Sequence, residues 1–130
     1  VAIPKLALGT WMIDDDKVAE AVKAAVSLGY RHIDTAQAYG NERGVGEGIR
    51  ECGVPREELF VQTKLAAEVK DYEGAKAAID ESLKTLGLDY IDLFIIHQSN
   101  ESINLAYAER KFLSMARIRS QEPARGASFR

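Results

Sequence analysis

Asp34 and Tyr39 stand five residues apart and are the first pair in this sequence whose side chains could do chemistry together. Gly29 precedes a short strand-like stretch that ends at Asp34, and small residues follow it. Asn41 then stands where it can cap a new helix. A carboxylate at a strand end and a phenol in the next loop can share one concave site, so this stretch predicts a polar centre.

Four predicted strands alternate with three predicted helices around this stretch. The strands are residues 3–11, 30–34, 59–64 and 91–97, and the helices are 16–28, 41–52 and 71–86. This order predicts an α/β fold with a parallel sheet, either open and doubly wound or closed into a barrel. No Gly-x-Gly-x-x-Gly follows the first strand, so a TIM-type β/α barrel is preferred. About four βα units make a half-barrel.

In a parallel barrel the carboxyl ends of the strands form the active-site face. Thr10, Asp34, Lys64 and His97 lie at or just past four such ends, and Tyr39 lies in the loop after Asp34. This set suits proton donation to a carbonyl oxygen. An ammonium near a phenol lowers the pKa of the phenol, which is ordinarily about 10, and eases release of its proton.

The other members of the set complete this chemistry. Asp34 would hold the Lys64 ammonium in place, and His97 would donate a hydrogen bond that orients the carbonyl. The set contains no reductant, so hydride must come from a cofactor. It contains no metal-ligand motif, and we predict no metal.

Structural interpretations stay open for each residue. Lys64 and Asp34 can form an ion pair with no catalytic role, and His97 can be a satisfied strand-end histidine. His32, inside the second strand, is interpreted as structural. Lys64 at a barrel strand end also allows a Schiff-base lyase, although the neighbouring Tyr39 argues against it.

Composition further limits the classes of function and location that this sequence predicts. The chain has 130 residues, of which 46% are hydrophobic and 28% charged. Its net charge of −3 argues against nucleic acid, and no apolar run is long enough to span a membrane. The single cysteine, Cys52, cannot form an internal disulfide, which favours a cytoplasmic location. A reactive Cys52 is the less favoured interpretation of that residue.

Four motifs in order resemble the aldo-keto reductases, and most of all bacterial diketogluconate reductase-type members. They are Gly9-Thr10-Trp11, Asp34-Thr35-Ala36 with Tyr39-Gly40-Asn41-Glu42, Thr63-Lys64-Leu65, and residues 86–93 with Ile96-His97. The resemblance covers residues 3 to about 98, the N-terminal half of such a protein. It implies a (β/α)8 barrel that reduces a small aldehyde or ketone with NADPH.

The resemblance also implies roles by position. Tyr39 would be the proton donor, Lys64 would lower its pKa, Asp34 would anchor Lys64 and touch the cofactor, and His97 would orient the substrate. Gly9, Thr10 and Trp11 would lie by the nicotinamide, with Trp11 also facing the substrate.

Beyond residue 98 the charge and periodicity change. Residues 1–97 carry 11 Lys and Arg against 17 Asp and Glu, whereas residues 98–130 carry 6 against 3. We therefore predict two regions: a half-barrel over 1–98 and a divergent tail over 99–130, with a helix at 102–115 and disorder after it.

The resemblance places the residues that grip the cofactor in the other half of the barrel, so weak or absent NADPH binding by this chain alone is expected. The alternative is a non-catalytic half-barrel that self-associates or complements a partner through exposed barrel edges.

Overall fold

The computed structural model describes residues 2–69 and 71–96, together with the backbone of residues 118–119. Single 3₁₀ turns span Gln37–Tyr39 and Arg56–Glu58. The strands and helices, in chain order, are β1 Ala7–Gly9, α1 Val18–Ser27, β2 His32–Asp34, α2 Glu42–Glu51, β3 Phe60–Leu65, α3 Tyr72–Leu86, β4 Tyr90–Ile91, β5 Leu93–Ile96 and β6 Ile118–Arg119.

The main sheet has four parallel strands in the order β1-β2-β3-β5. The strands of this sheet are neighbours in chain order, with the short β4 intervening between β3 and β5, and α2 packs against both α1 and α3. A doubly wound sheet would reverse its strand order at a switch point, whereas a β/α barrel adds strands in sequence with its helices outside. The partial parallel sheet with alternating helices is therefore a half-barrel, as the sequence predicted.

The register of the sheet brings polar strand ends together. Gly9 pairs with Asp34, and Asp34 pairs with Gln62 on β3. Two residues further along β3, Lys64 pairs with Ile95. Since side chains alternate along a strand, Gln62 and Lys64 face the barrel interior while Thr63 faces the helices.

The core fills the layer between the sheet and the three helices. It is built from aliphatic side chains that recur at helical spacing in α1–α3 and at alternate positions in the strands. Its fully buried members include Val22, Ile33, Val45, Val61 and Leu86. Such burial contributes about 1.5–3 kcal/mol per side chain, which outweighs the weak intrinsic helix propensity of glycine-rich α2.

The glycines of α2 allow neighbouring helices to approach. The sequence predicts that tertiary packing, or the close approach of a neighbouring strand, must compensate for Gly44, Gly46 and Gly48. The neighbours at these glycines belong to helices and a loop. A Cβ added at Gly44 or Gly48 would collide with α1 or the loop before it, and one at Gly46 would collide with the backbone at the end of α3. These positions therefore set the spacing of the helical layer.

Helix α3 is capped at both ends, whereas the predicted cap of α2 is wrong. Asp71 caps α3 by accepting a hydrogen bond from Gly74 N at 2.7 Å, and Gly87 ends the helix with φ +65°. Asn41 precedes α2, but its side chain makes no capping bond. That side chain is used instead to join the loops that follow β1 and β2, as described below.

The predicted strand 91–97 is divided in two at Asp92. The Asp92 carboxylate is buried and accepts hydrogen bonds from Arg56 at 2.7 Å and Val61 N at 3.0 Å. Because this end of the strands is the amino-terminal face of the barrel, we interpret the contact between Arg56 and Asp92 as stabilising rather than catalytic.

Residues 118–119 of the tail form β6, which pairs antiparallel with β4. The predicted division at residue 98 and the disorder expected after residue 115 stay predictions. The strand edge of β4 offers unpaired backbone groups that an adjacent extended segment can satisfy. The predicted helix at 102–115 lies outside the described residues. Within the described part of the chain, no helix has the length and hydrophobicity that a membrane crossing needs. The cytoplasmic location stays a prediction.

Candidate active site

Lys64, at the carboxyl end of β3, holds the site together through three oxygen atoms. Its Nζ lies 2.5 Å from Asp34 Oδ1. It also donates to the Thr35 carbonyl oxygen at 3.0 Å and lies 3.4 Å from the Tyr39 hydroxyl oxygen. A lysine ammonium has three donors and no acceptor, so these three oxygens satisfy it completely. The Lys64 side chain is only 13% exposed, and an ammonium that far from water needs such partners.

Asp34 anchors Lys64 with one carboxylate oxygen. Oδ1 accepts from Lys64 and also from Gln62 Nε2 at 2.7 Å. Within residues 2–69 and 71–96, Oδ2 accepts no hydrogen bond from a side chain or backbone group. The side chain is 27% exposed, so Oδ2 is available to a donor group that enters from the barrel interior.

Tyr39 is brought to Lys64 by the 3₁₀ turn after β2. Gly40 ends that turn with φ +67°, a conformation that glycine adopts without strain. The Lys64 ammonium lies 5.1 Å from the Tyr39 ring centroid as well as near the hydroxyl. Because an ammonium can only donate, the phenol oxygen is the acceptor in this contact. The Tyr39 hydroxyl proton is therefore left for another acceptor, and the half-buried side chain can reach one.

An ion pair with no catalytic role would need only Lys64 and Asp34. The third contact, to Tyr39, brings a phenol into the pair and favours the chemical interpretation over the structural one. Gln62 was missed by the sequence analysis. Its position two residues before Lys64 on the same strand face is a signal that could have found it.

The predicted cofactor residues at the end of β1 and just after it differ in how far they are buried. Gly9 is exposed, and a Cβ built there would meet no atom within 4 Å. Trp11 is 69% exposed, whereas Thr10 is fully buried. Gly9 therefore lies beside Asp34 on the open face of the sheet, Trp11 follows as an exposed side chain, and the Thr10 side chain is buried.

Asn41 joins the loops that follow β1 and β2 through hydrogen bonds. Its Nδ2 donates to the carbonyl oxygens of Thr10 at 2.8 Å and Ile13 at 2.9 Å. Its Oδ1 accepts from Thr35 Oγ1 at 3.1 Å. Asn41 is 1% exposed, and a buried amide needs these partners. A side chain that joins two loops in this way is unavailable for capping, which explains why that prediction was wrong.

Glu42 is a buried carboxylate directly behind the site. It accepts hydrogen bonds from Thr63 Oγ1 at 2.7 Å and from Ser82 Oγ at 3.2 Å. Burial raises the pKa of the Glu42 carboxyl above its ordinary value of 4.5. The two hydroxyl hydrogen bonds oppose that rise in pKa, and the charge of Glu81 adds to it.

Glu42→Gln should remove a pH dependence from the stability of the protein. A raised folded-state pKa means that the native state binds more protons than the unfolded state between 4.5 and the folded value. The wild type therefore loses stability as pH rises through that window, and the variant does not. We expect the free energy of unfolding of the variant, relative to wild type, to increase from pH 4.5 toward neutrality.

Urea unfolding at a series of pH values measures this difference. Glu58→Gln, at an exposed carboxyl, is the matched control for the loss of one charge. A difference between Glu42→Gln and wild type that stays constant with pH would contradict the predicted effect of burial.

The remaining histidine predictions have different outcomes. His97 follows β5 but lies outside the described residues, so its predicted role is untested. His32 is buried, with its Nδ1 3.2 Å from the Pro4 carbonyl oxygen and its ring edge-on to Phe60. That environment agrees with a structural role. In the described part of the chain, no cluster of His, Cys, Asp and Glu side chains is arranged to hold a metal ion.

Comparison with known proteins identifies relatives of this half-barrel. The chain is 54% identical over 98 residues to the 9,11-endoperoxide prostaglandin H2 reductase of Trypanosoma cruzi (strain CL Brener). That match covers 75% of this chain and 35% of the relative, so the chain spans about a third of that protein's length.

Solved structures give the same result. An aldo-keto reductase from Bombyx mori, in complex with NADP, has 49% identity and a TM-score of 0.69. That alignment covers 72% of this chain and 34% of the other. A putative 2,5-diketo-D-gluconic acid reductase B has 34% identity and a TM-score of 0.72, over 82% of this chain and 41% of the other. This last likeness agrees with the type of member that the motifs indicated.

The family model described as the aldo/keto reductase family matches residues 5–115. The match extends past residue 98, where the recognised motifs end, and so includes part of the region that the sequence analysis treated as a divergent tail. A match over most of the chain, together with these relatives, decides the family: the chain belongs to the aldo/keto reductases.

Proposed function

We propose that this protein is an oxidoreductase that reduces an aldehyde or ketone to an alcohol with NADPH, and that Tyr39 donates the proton. One observation carries the proposal: the Lys64 ammonium contacts both the Asp34 carboxylate and the Tyr39 hydroxyl oxygen. Family membership supports the same chemistry.

The proton in this reaction comes from Tyr39. Its hydroxyl oxygen accepts from Lys64, so its own O–H is free to donate to a carbonyl oxygen in the barrel interior. Proton transfer leaves a phenolate, which the adjacent ammonium stabilises. Asp34 holds the ammonium in place, and Gln62 supports Asp34. We assign to His97, directly after β5, a hydrogen bond that orients the carbonyl.

The residues on the open face fit a nicotinamide cofactor. Gly9 leaves space for a flat ring, the exposed Trp11 can wall it, and Asp34 Oδ2 can accept a hydrogen bond from it. The hydride that reduces the carbonyl carbon comes from the cofactor when it is bound. The choice of NADPH rests on the family resemblance and on the relative whose structure contains NADP.

Consumption of NADPH by the purified protein tests the proposal. We expect absorbance of NADPH to fall only when protein and an aldehyde or ketone are both present, with the alcohol formed in equal amount. Because weak cofactor binding is expected, NADPH is used at concentrations well above those typical for such assays. No alcohol from any aldehyde or ketone in a broad panel would contradict the proposal.

The open edges of the sheet favour a second candidate, a half-barrel that self-associates. Among the described strands, β1 and β5 each have a neighbour on one side only. Such edges pair readily with another chain. Sedimentation distinguishes the two candidates: a monomer that reduces carbonyls excludes this one, and an associated form without activity supports it.

A further inference from the structure

We propose that Gln37 is a positioning residue that fixes Tyr39 against Lys64. This inference rests on the function proposed above. Gln37 begins the 3₁₀ turn that ends at Tyr39, two residues later. It is half-buried, and its side-chain hydrogen bonds go to α3 and to Ala66. Its effect on the reaction would therefore act through the turn.

Three hydrogen bonds hold the Gln37 amide. Its Nε2 donates to the Ala78 carbonyl oxygen at 2.7 Å and to Ser82 Oγ at 2.9 Å, both on α3. Its Oε1 accepts from Ala66 N at 2.9 Å, just past the end of β3. Both amide hydrogens and one acceptor site are thus used. The turn that carries Tyr39 is tied at one point to the helix behind it and to the strand that carries Lys64.

The hydrogen-bond partners of Gln37 fix the orientation of its amide group. The Ala78 carbonyl oxygen can only accept, so the group that faces it must be the Gln37 Nε2 donor. The second Nε2 hydrogen goes to Ser82 Oγ, whose own hydroxyl hydrogen goes to Glu42 Oε2. With Nε2 set toward Ser82, Oε1 must face the Ala66 N–H. One orientation of the amide satisfies every partner.

The same network reaches the residue beside Lys64. Glu42 Oε1 accepts from Thr63, which is adjacent to Lys64 on β3 and points to the helical side. Thr63 and Ser82 are fully buried and Glu42 is 7% exposed. Burying a carboxylate that has hydroxyl donors alone carries a large desolvation cost. This cost favours a functional role for the network, which joins the Tyr39 turn to the Lys64 strand.

A purely structural role would predict a different effect. If the network only fastened α3 to the sheet, removing the Gln37 contacts would lower stability and leave Tyr39 beside Lys64. If Gln37 positions the turn, Tyr39 would leave Lys64 while the fold persists. NMR with ring-labelled tyrosine separates these outcomes, because it reports on Tyr39 without requiring activity.

Gln37→Met is the main variant, since it keeps the length and volume of the side chain and removes all three hydrogen bonds. The Tyr39 ring resonance is assigned by its absence in Tyr39→Phe. In the wild type we expect a nuclear Overhauser effect between the Tyr39 ring and the Lys64 side-chain methylenes. In Gln37→Met we expect loss of that effect and a shift of the Tyr39 resonance toward that of half-exposed Tyr72.

Gln37→Asn is the second variant, for the case in which Gln37→Met does not fold. It keeps the amide but is one methylene too short to reach α3 and Ala66 together, so we expect the same loss. The resonances of Tyr30 and Tyr90 should keep their wild-type positions and so show that the fold is intact.

Lys64→Met separates failure of this inference from failure of the proposed function. If the Tyr39 resonance does not respond to Lys64→Met, the contact on which the proposed function depends is absent in solution. If it responds to Lys64→Met but keeps its wild-type position in a folded Gln37 variant, the positioning role of Gln37 is wrong and the proposed function stands.

Discussion

Tyr39→Phe should lower kcat for NADPH-dependent carbonyl reduction by about 10²–10⁴-fold, the range that removal of a general acid gives. Phenylalanine keeps the ring over the Lys64 ammonium and removes only the hydroxyl that faces it. The KM for the carbonyl substrate should change little, because the missing group acts mainly as the proton moves. Steady-state rates of NADPH consumption with one aldehyde over a range of concentrations measure both constants.

Tyr30→Phe is the matched control. Tyr30 precedes β2, so it lies at the opposite end of that strand from Asp34 and the Tyr39 turn. The same hydroxyl is deleted there, and kcat should stay within about twofold of wild type, since surface or remote changes have small effects. If Tyr39→Phe retained wild-type kcat, another group would have to supply the proton, and the contact between Lys64 and Tyr39 would be structural.

The elements and the strand-end residues could be predicted because they depend on local pattern. Helical spacing of apolar residues and glycine stops gave α1–α3 to within two residues at each end. Parallel order then implied that Asp34 and Lys64 meet at one face, and their contact confirms that juxtaposition. Strand lengths were less predictable: β1 has three residues where nine were expected, because pairing depends on a neighbour that the sequence does not display.

The hydrogen-bond partners of the polar residues around the site could not be predicted, since those partners are distant in the chain. Gln37 bonds to α3 and Gln62 bonds to Asp34 only after the strands and helices have packed. Asn41 fits the pattern of a helix cap, yet the fold uses its amide to join two loops. An amide can serve either purpose, and tertiary geometry decides which one wins.

The neighbours that pack against the glycines of α2 could not be predicted from the sequence either. Gly46→Ala tests this packing. We expect Gly46→Ala to lower the free energy of unfolding by about 2 kcal/mol. Alanine is the better helix former by about 1 kcal/mol. Overpacking costs about 1–3 kcal/mol, and the upper end applies here because the new Cβ would meet the backbone of Leu86 rather than a side chain that can rotate away. The clash therefore outweighs the gain in propensity.

The Leu86 backbone is also held by a second residue of α2. Its carbonyl oxygen accepts from Arg50 at 2.6 Å, so a displacement of α3 that relieves the clash would disturb that hydrogen bond. Urea unfolding gives the change in free energy, and thermal unfolding should show a fall in Tm of about 10 °C for a domain of this size.

Gly9→Ala is the control, because a Cβ at Gly9 meets nothing within 4 Å. Its free energy of unfolding should stay within about 0.5 kcal/mol of wild type. A Gly46→Ala protein that is more stable than wild type would show that helix propensity decides at this position. In that case α2 and α3 would have to lie further apart than the contact between Gly46 and Leu86 allows.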